Sequence, residues 1–180
     1  MKKNFFLFSA VLVMLLCTAA AGGPVYALAG PVLKADTVIV RFKINGAMVK
    51  GKDILVGEGV SMTGVYGIGF TSVVQGGKDR INIAVTGDTA GVYPVLAGSR
   101  GSLTKGIAYG NYQAAAKDGR AEPYSFDSGR VTVVSFNKKS RRVSFRFSGK
   151  MKNQHGDVLE ITDGELINGW VKPRDKNAIN

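Results

Sequence analysis

The side chains that could carry chemistry are few and unevenly placed. Histidine occurs once, at His155, inside the polar run Asn153-Gln154-His155-Gly156. A histidine-based dyad would have to be assembled there, and a solvated turn histidine is the simpler reading. A structural zinc site needs about four Cys, His or acidic ligands; no such constellation is visible, so neither a metal nor a cofactor is expected. The acids cluster at Asp157, Glu160, Asp163 and Glu165. Two carboxyl groups held roughly 5 to 10 Å apart could cleave a glycoside, and grouped carboxylates could hold calcium. The same residues could simply face basic side chains across a β-ladder, which makes a carboxylate-based hydrolase the least favoured function and leaves no catalytic residue assigned.

Basic residues are far more concentrated. Between Gly129 and Gly156 lie eight of them, Arg130, Lys138, Lys139, Arg141, Arg142, Arg146, Lys150 and Lys152, without one acid. On an extended strand Arg142, Ser144 and Arg146 share a face, while Lys138-Lys139 and Lys150-Lys152 fall at opposite ends of the same hairpin. Guanidinium groups present flat, forked donors that match sulfate, phosphate and carboxylate oxygens. The candidate ligand-binding residues are therefore Arg130, Lys138, Lys139, Arg142, Arg146 and Lys150. The alternative is a solvated face that protects a sheet edge from pairing with another chain. Tyr93, Tyr109, Tyr112, Tyr124, Phe126 and Trp170 could form a sugar-stacking platform, but β cores use the same residues; Trp170, close to the polar tail, is the one expected to stay partly exposed.

The elements that would position these groups follow from periodicity. Lys2 and Lys3 precede an apolar run from Phe5 to Leu16 that decays into small residues, the pattern of a secretory signal peptide. A membrane span needs about 20 apolar residues with anchoring flanks, so no transmembrane span is expected in the mature chain. Cleavage after Ala29 would leave about 150 residues, an ordinary single-domain length. Cys17 sits where an acylated lipoprotein cysteine would stand, but Leu16 before it is larger than a lipobox residue; lipidation at Cys17, and membrane association through it, is the competing outcome. If Cys17 leaves with the leader, no disulfide is available and the core alone must hold the fold. Lys and Arg number 24 against 13 Asp and Glu, and losing Lys2 and Lys3 still leaves an excess of nine. That excess favours anionic partners, with nucleic acid last among them for an exported protein.

Beyond the leader, period-two alternation recurs with Gly-rich punctuation, and no long stretch repeats at 3.6. The expected fold class is all-β: a single antiparallel β-sandwich or barrel-like meander of about ten short strands, occupying 37–172 between a short linker, 30–36, and a polar tail, 173–180. Thr37 to Ile44 alternates Val38, Val40, Phe42 and Ile44 against Arg41 and Lys43, and Asn45-Gly46 supplies a tight hairpin turn. Two strands are expected over Ser61 to Tyr66 and Ile68 to Val74, a turn at Gln75 to Lys78, and a return over Arg80 to Thr86. Pro94 belongs at an edge, and Gln113 to Pro123 reads as loop. Strands over Gly129 to Phe136 and Arg141 to Gly149 flank an Asn137 to Ser140 turn, and Asp163-Gly164 reads as a last turn before Glu165 to Val171.

Asn45-Gly46, Gly91-Val92-Tyr93, Tyr109 with Tyr112, Gly129 to Val133, Val143 to Gly149 and Ile161 to Leu166 follow one another along the chain. Their order resembles that in a family of exported proteins, many of them lipoproteins, from the Bacteroidetes group of Gram-negative bacteria, grouped as a domain of unknown function (DUF6252-like). The resemblance implies an all-β domain at the cell envelope without known catalytic residues. Three functions stand as expectations. The first is a non-enzymatic, exported envelope domain, periplasmic or at the outer membrane and cell surface, whose basic hairpin contacts an anionic glycan or a partner protein. The second is a small barrel carrying an apolar ligand in an empty, lined cavity. The third is the hydrolase.

Overall fold

Asn45 and Gly46 take φ of 48° and 83°, the pair of left-handed residues that a tight hairpin turn requires. They join β1 (Ile39–Ile44) to β2 (Ala47–Val60) in the computed structural model, which describes residues 37–60, 65–74, 76–96, 104–115 and 121–173. Then follow β3 (Tyr66–Val74), β4 (Arg80–Val85), β5 (Gly91–Pro94), β6 (Ala108–Ala115), β7 (Ala121–Asn137), β8 (Arg142–Lys152) and β9 (Val158–Lys172). No helix occurs among the described residues. The expected leader, Cys17 and residues 174–180 of the tail lie outside them.

Eight strands form a meander in chain order, β1-β2-β3-β4-β6-β7-β8-β9, each antiparallel to the next. β9 then pairs antiparallel with β1, so the sheet closes into a barrel and its edges disappear. β5 is the additional strand. It pairs with β7 from Gly91↔Val133 to Pro94↔Arg130, beyond the stretch of β7 that pairs with β6. Pro94 thus sits on a short outlying strand, as its missing N–H demands.

Alternation sorts the side chains. Val40 and Phe42, Ile68 and Phe70, Ile81, Ile83 and Val85, Val131 and Val133, Val143, Phe145 and Phe147, and Ile161 and Leu166 are all buried. An eight-stranded barrel has an interior that side chains can just fill. Here Phe70 of β3 meets Phe145 and Phe147 of β8 at ring-centroid distances of 5.9 and 5.7 Å, and Phe42 of β1 meets Phe147 at 5.9 Å. Aromatic rings from three strands therefore meet in the middle of the barrel, in tilted contacts that suit their quadrupoles.

Large rings need small neighbours. A Cβ at Gly164 would lie 2.4 Å from the Phe147 ring, so the glycine is the seat on which that ring rests. Gly129 and Gly149 are register partners with φ of 135° and 159°; a Cβ on Gly129 would fall 2.2 Å from the Ser148 carbonyl oxygen.

Several expected boundaries are corrected. Asp163-Gly164 is not a turn: β9 runs unbroken through it, and Asp163, with φ of 51°, marks register shifts against both β1 and β8. The Gln113 to Pro123 region is not a loop throughout, since Gln113, Ala114 and Ala115 of β6 pair with Pro123, Glu122 and Ala121 of β7. β2 continues as strand to Val60, and β3 begins at Tyr66 rather than Ile68, so Tyr66 belongs to β3 and not to the end of a strand before it. Residues 61–64 lie outside the described set. Among the described residues nine strands form, four of them longer than ten residues.

Candidate functional site

The six basic candidates all lie on the β7–β8 hairpin, but the structure does not bring them together. Lys138 and Lys139 occupy the turn, where the Asn137 side-chain oxygen accepts hydrogen bonds from the backbone N–H groups of Lys139 and Ser140, each at 3.0 Å. Lys138 Nζ lies 2.6 Å from an Asp88 carboxylate oxygen. Arg142 is half-buried and donates from a guanidinium nitrogen to the Asn168 carbonyl at 3.1 Å. These contacts tie Lys138 and Arg142 to the barrel's own surface.

Arg130, Arg146 and Lys150 differ. Their strands are regular between Ser128 and Val133, where Val131, Val133, Phe145 and Phe147 point inward. The alternate positions must point outward, and Arg130, Arg146 and Lys150 are exposed. Among the described residues no ion pair engages any of the three. Arg130 and Arg146 line an open groove of about 1000 Å³ together with Arg41, Lys43, Thr132, Ser148, Asp163 and Glu165. Val92 of β5, 64 % exposed, and Met48 of β2 supply apolar surface at its sides.

Two of the four clustered acids, Asp163 and Glu165, meet cations of β1. Glu165 accepts a hydrogen bond from Arg41 Nε, and Asp163 lies 2.8 Å from Lys43 Nζ. Glu160 is in register with Lys150. The ion pairs of this acidic segment thus run to β1, whereas the basic hairpin expected to face it supplies Lys150 and Arg146 as register partners and, among the described residues, no ion pair to it. His155 is exposed in a turn organised by Asn153, whose Oδ1 accepts from the backbone N–H groups of His155 and Asp157 at 3.0 and 2.8 Å.

Polar pairs that sequence reasoning did not anticipate lie toward the barrel's ends. At one end Tyr66 donates its hydroxyl proton to Glu58, and Arg141 Nη2 lies 2.9 Å from the other Glu58 carboxylate oxygen while Arg141 Nε donates to the Val171 carbonyl at 2.8 Å. At the other end Tyr112 donates to Asp79, which also accepts from the Ala115 backbone N–H at 2.9 Å. Burial, reinforced by the hydrogen bond to a carboxylate, holds both tyrosine hydroxyls protonated well above their ordinary range. Glu58 lies far in sequence from Arg141, and Asp79 from Tyr112, so only the folded barrel reveals these pairs. The aromatic residues behave as core: Tyr93, Tyr112, Tyr124 and Phe126 are buried, and Trp170 remains 47 % exposed.

Among the described residues no group of three or more His, Cys, Asp or Glu side chains is placed to hold a metal ion, and no helix is long and apolar enough to cross a membrane. No family model, curated protein or solved structure matches the chain.

Proposed function

We propose that this protein is an exported, non-catalytic cell-envelope domain that binds an anionic glycan on the outer surface of its barrel. The observation that carries the reading is the groove in which Arg130 and Arg146 stand exposed with no carboxylate partner among the described residues, beside Arg41 and Lys43 whose charges are already matched. Guanidinium groups on the outside of a closed barrel can meet a ligand that never enters it, and the tilted, closely packed rings of Phe42, Phe70, Phe145 and Phe147 favour the surface over the interior as the binding place. The excess of nine basic residues that remains once Lys2 and Lys3 leave with the leader supports long-range attraction of the same partners. The basic leader with its apolar run supports export, to the periplasm or to the outer membrane and cell surface.

Retention of the purified protein on immobilised heparin and polygalacturonate tests the reading. Retention should weaken as sodium chloride rises, and it should fall sharply in the Arg130→Glu/Arg146→Glu variant. Unchanged retention in that variant would remove this face from consideration. Intact-mass measurement of the exported form should show a chain beginning at Gly30; a mass including an acylated Cys17 would replace free export by a lipid anchor.

A further inference from the structure

The outward ladder of β7 and β8 carries a regular pairing of cation with hydroxyl. Ser128 is in register with Lys150, Arg130 with Ser148, and Thr132 with Arg146. The cation changes strand at each step, so Lys150, Arg130 and Arg146 form a zigzag, with a hydroxyl directly opposite each one. Successive outward positions on one strand are about 6.7 Å apart, and diagonal neighbours about 7 to 8 Å. Beside this zigzag, β5 places Pro94 next to Arg130 and Val92 next to Thr132. On the other side β9 places Glu165, already bound to Arg41, next to Arg146, and Glu160 next to Lys150.

Resting on the anionic-glycan reading, we infer that this ladder is a linear site for an extended polysaccharide carrying carboxylate or sulfate groups at intervals of about 7 Å. Each anionic group takes one cation and the hydroxyl facing it, so that it receives both charge and a directed hydrogen bond. Val92 and Pro94 present apolar surface to the C–H face of the sugar ring. The acidic edge along β9 repels a second anionic strand and sets the polymer's path along the hairpin rather than across it. Lys138, Lys139 and Arg142, at the turn end, lie outside this ladder.

Calorimetric titration of the full-length mature protein with heparin-derived oligosaccharides and with oligogalacturonates tests the inference and separates sulfate from carboxylate sources. Single changes of Arg130, Arg146 or Lys150 to Gln should each weaken binding about 10-fold, as expected for loss of a charged hydrogen bond. The Lys138→Gln/Lys139→Gln variant should change it less than about 2-fold. The charge-preserving Thr132→Val/Ser148→Ala variant should weaken binding about 5-fold. Arg130→Lys/Arg146→Lys, which keeps both charges but removes the forks, should fall between wild type and the Gln variants. If the hydroxyl variant matches wild type, or the turn lysines matter as much as the ladder, the linear site is wrong while glycan binding stands. Failure of the wild-type protein to bind either oligosaccharide at low salt overturns the ladder and the glycan reading together, as would equal affinity for a single-stranded DNA of matched charge.

Discussion

Arg41 and Glu165 are register partners across β1 and β9, and Glu165 accepts the hydrogen bond that Arg41 Nε donates. Glu165 is also in register with Arg146 on its other side. One carboxylate thus lies between two guanidinium groups and is engaged by the one farther from the β7–β8 ladder. That division matches Arg41 internally and leaves Arg146 to solvent and to ligand.

Glu165→Gln should therefore strengthen binding of anionic glycan about 2- to 5-fold, because the repulsive charge beside Arg146 is lost while a second cation, Arg41, is released. The Arg41 side chain is 54 % exposed, so stability should fall by less than about 1 kcal/mol. Titration calorimetry and urea unfolding of the one variant check both numbers; weaker binding would mean that Glu165 positions the ligand rather than limiting it.

Gly129→Ala should be among the most destabilising single-methyl additions in the barrel. Its φ of 135° is closed to an L side chain, and the new methyl would meet the Ser148 carbonyl at 2.2 Å. Backbone strain and overpacking together imply a loss of about 3 kcal/mol or more. Urea unfolding should show a lower midpoint with an unchanged slope. An unaffected midpoint would show that the β7–β8 pairing does not hold this close approach.

Phe70→Ala removes the ring that contacts both Phe145 and Phe147. A cavity left between three strands that the closed barrel cannot collapse should cost about 3 to 5 kcal/mol. Because the binding face lies outside the core, any variant protein that remains folded should retain glycan affinity within about 2-fold. A selective loss of binding with stability intact would point to the interior as the functional place.

Alkaline stability should depend on Tyr66 and Tyr112. Burial and the carboxylates of Glu58 and Asp79 raise the folded-state pKa of each above the unfolded value, which is about 10. Above that pH the unfolded chain loses tyrosine protons that the folded chain keeps, so the unfolded state binds fewer protons and stability falls as pH rises. The contribution is complete below about pH 9 and declines from about pH 10 upward. Urea unfolding followed from about pH 9 to above about pH 10 should give a shallower decline for Tyr112→Phe than for the wild-type protein. Parallel declines would mean that the Tyr112–Asp79 contact is not maintained in solution.

The sequence announced what depends on neighbours in the chain. Asn45-Gly46 reads as a turn and is one, because β1 and β2 pair directly on either side of it, from Ile44↔Ala47 to Arg41↔Lys50. Asp163-Gly164 carries a similar signal, yet only Asp163 is left-handed there, and the chain passes through as a bulge. The difference is set by β1, which pairs with β9 across more than a hundred residues, and no local pattern reports such a closure. Pro123 argued for loop for a comparable reason. It lies on β7 beyond Ser125↔Lys152, the last pairing with β8, where the ladder continues with β6 alone. The basic hairpin was legible as composition, but its division into matched and unmatched cations was not. That division depends on Asp88, Asn168 and Glu165, which reach it from other parts of the fold.

The most direct test of an anion-binding face outside a filled barrel is a two-dimensional amide NMR titration of the mature protein with a heparin-derived oligosaccharide. Shift changes should concentrate at Ser128 to Thr132 and Arg146 to Lys150, extend to Val92, and leave Ile68 to Ser72 within the core unmoved. Changes centred on the core strands, or on the Asp79 and Tyr112 end of the barrel with the β7–β8 ladder silent, would contradict the account.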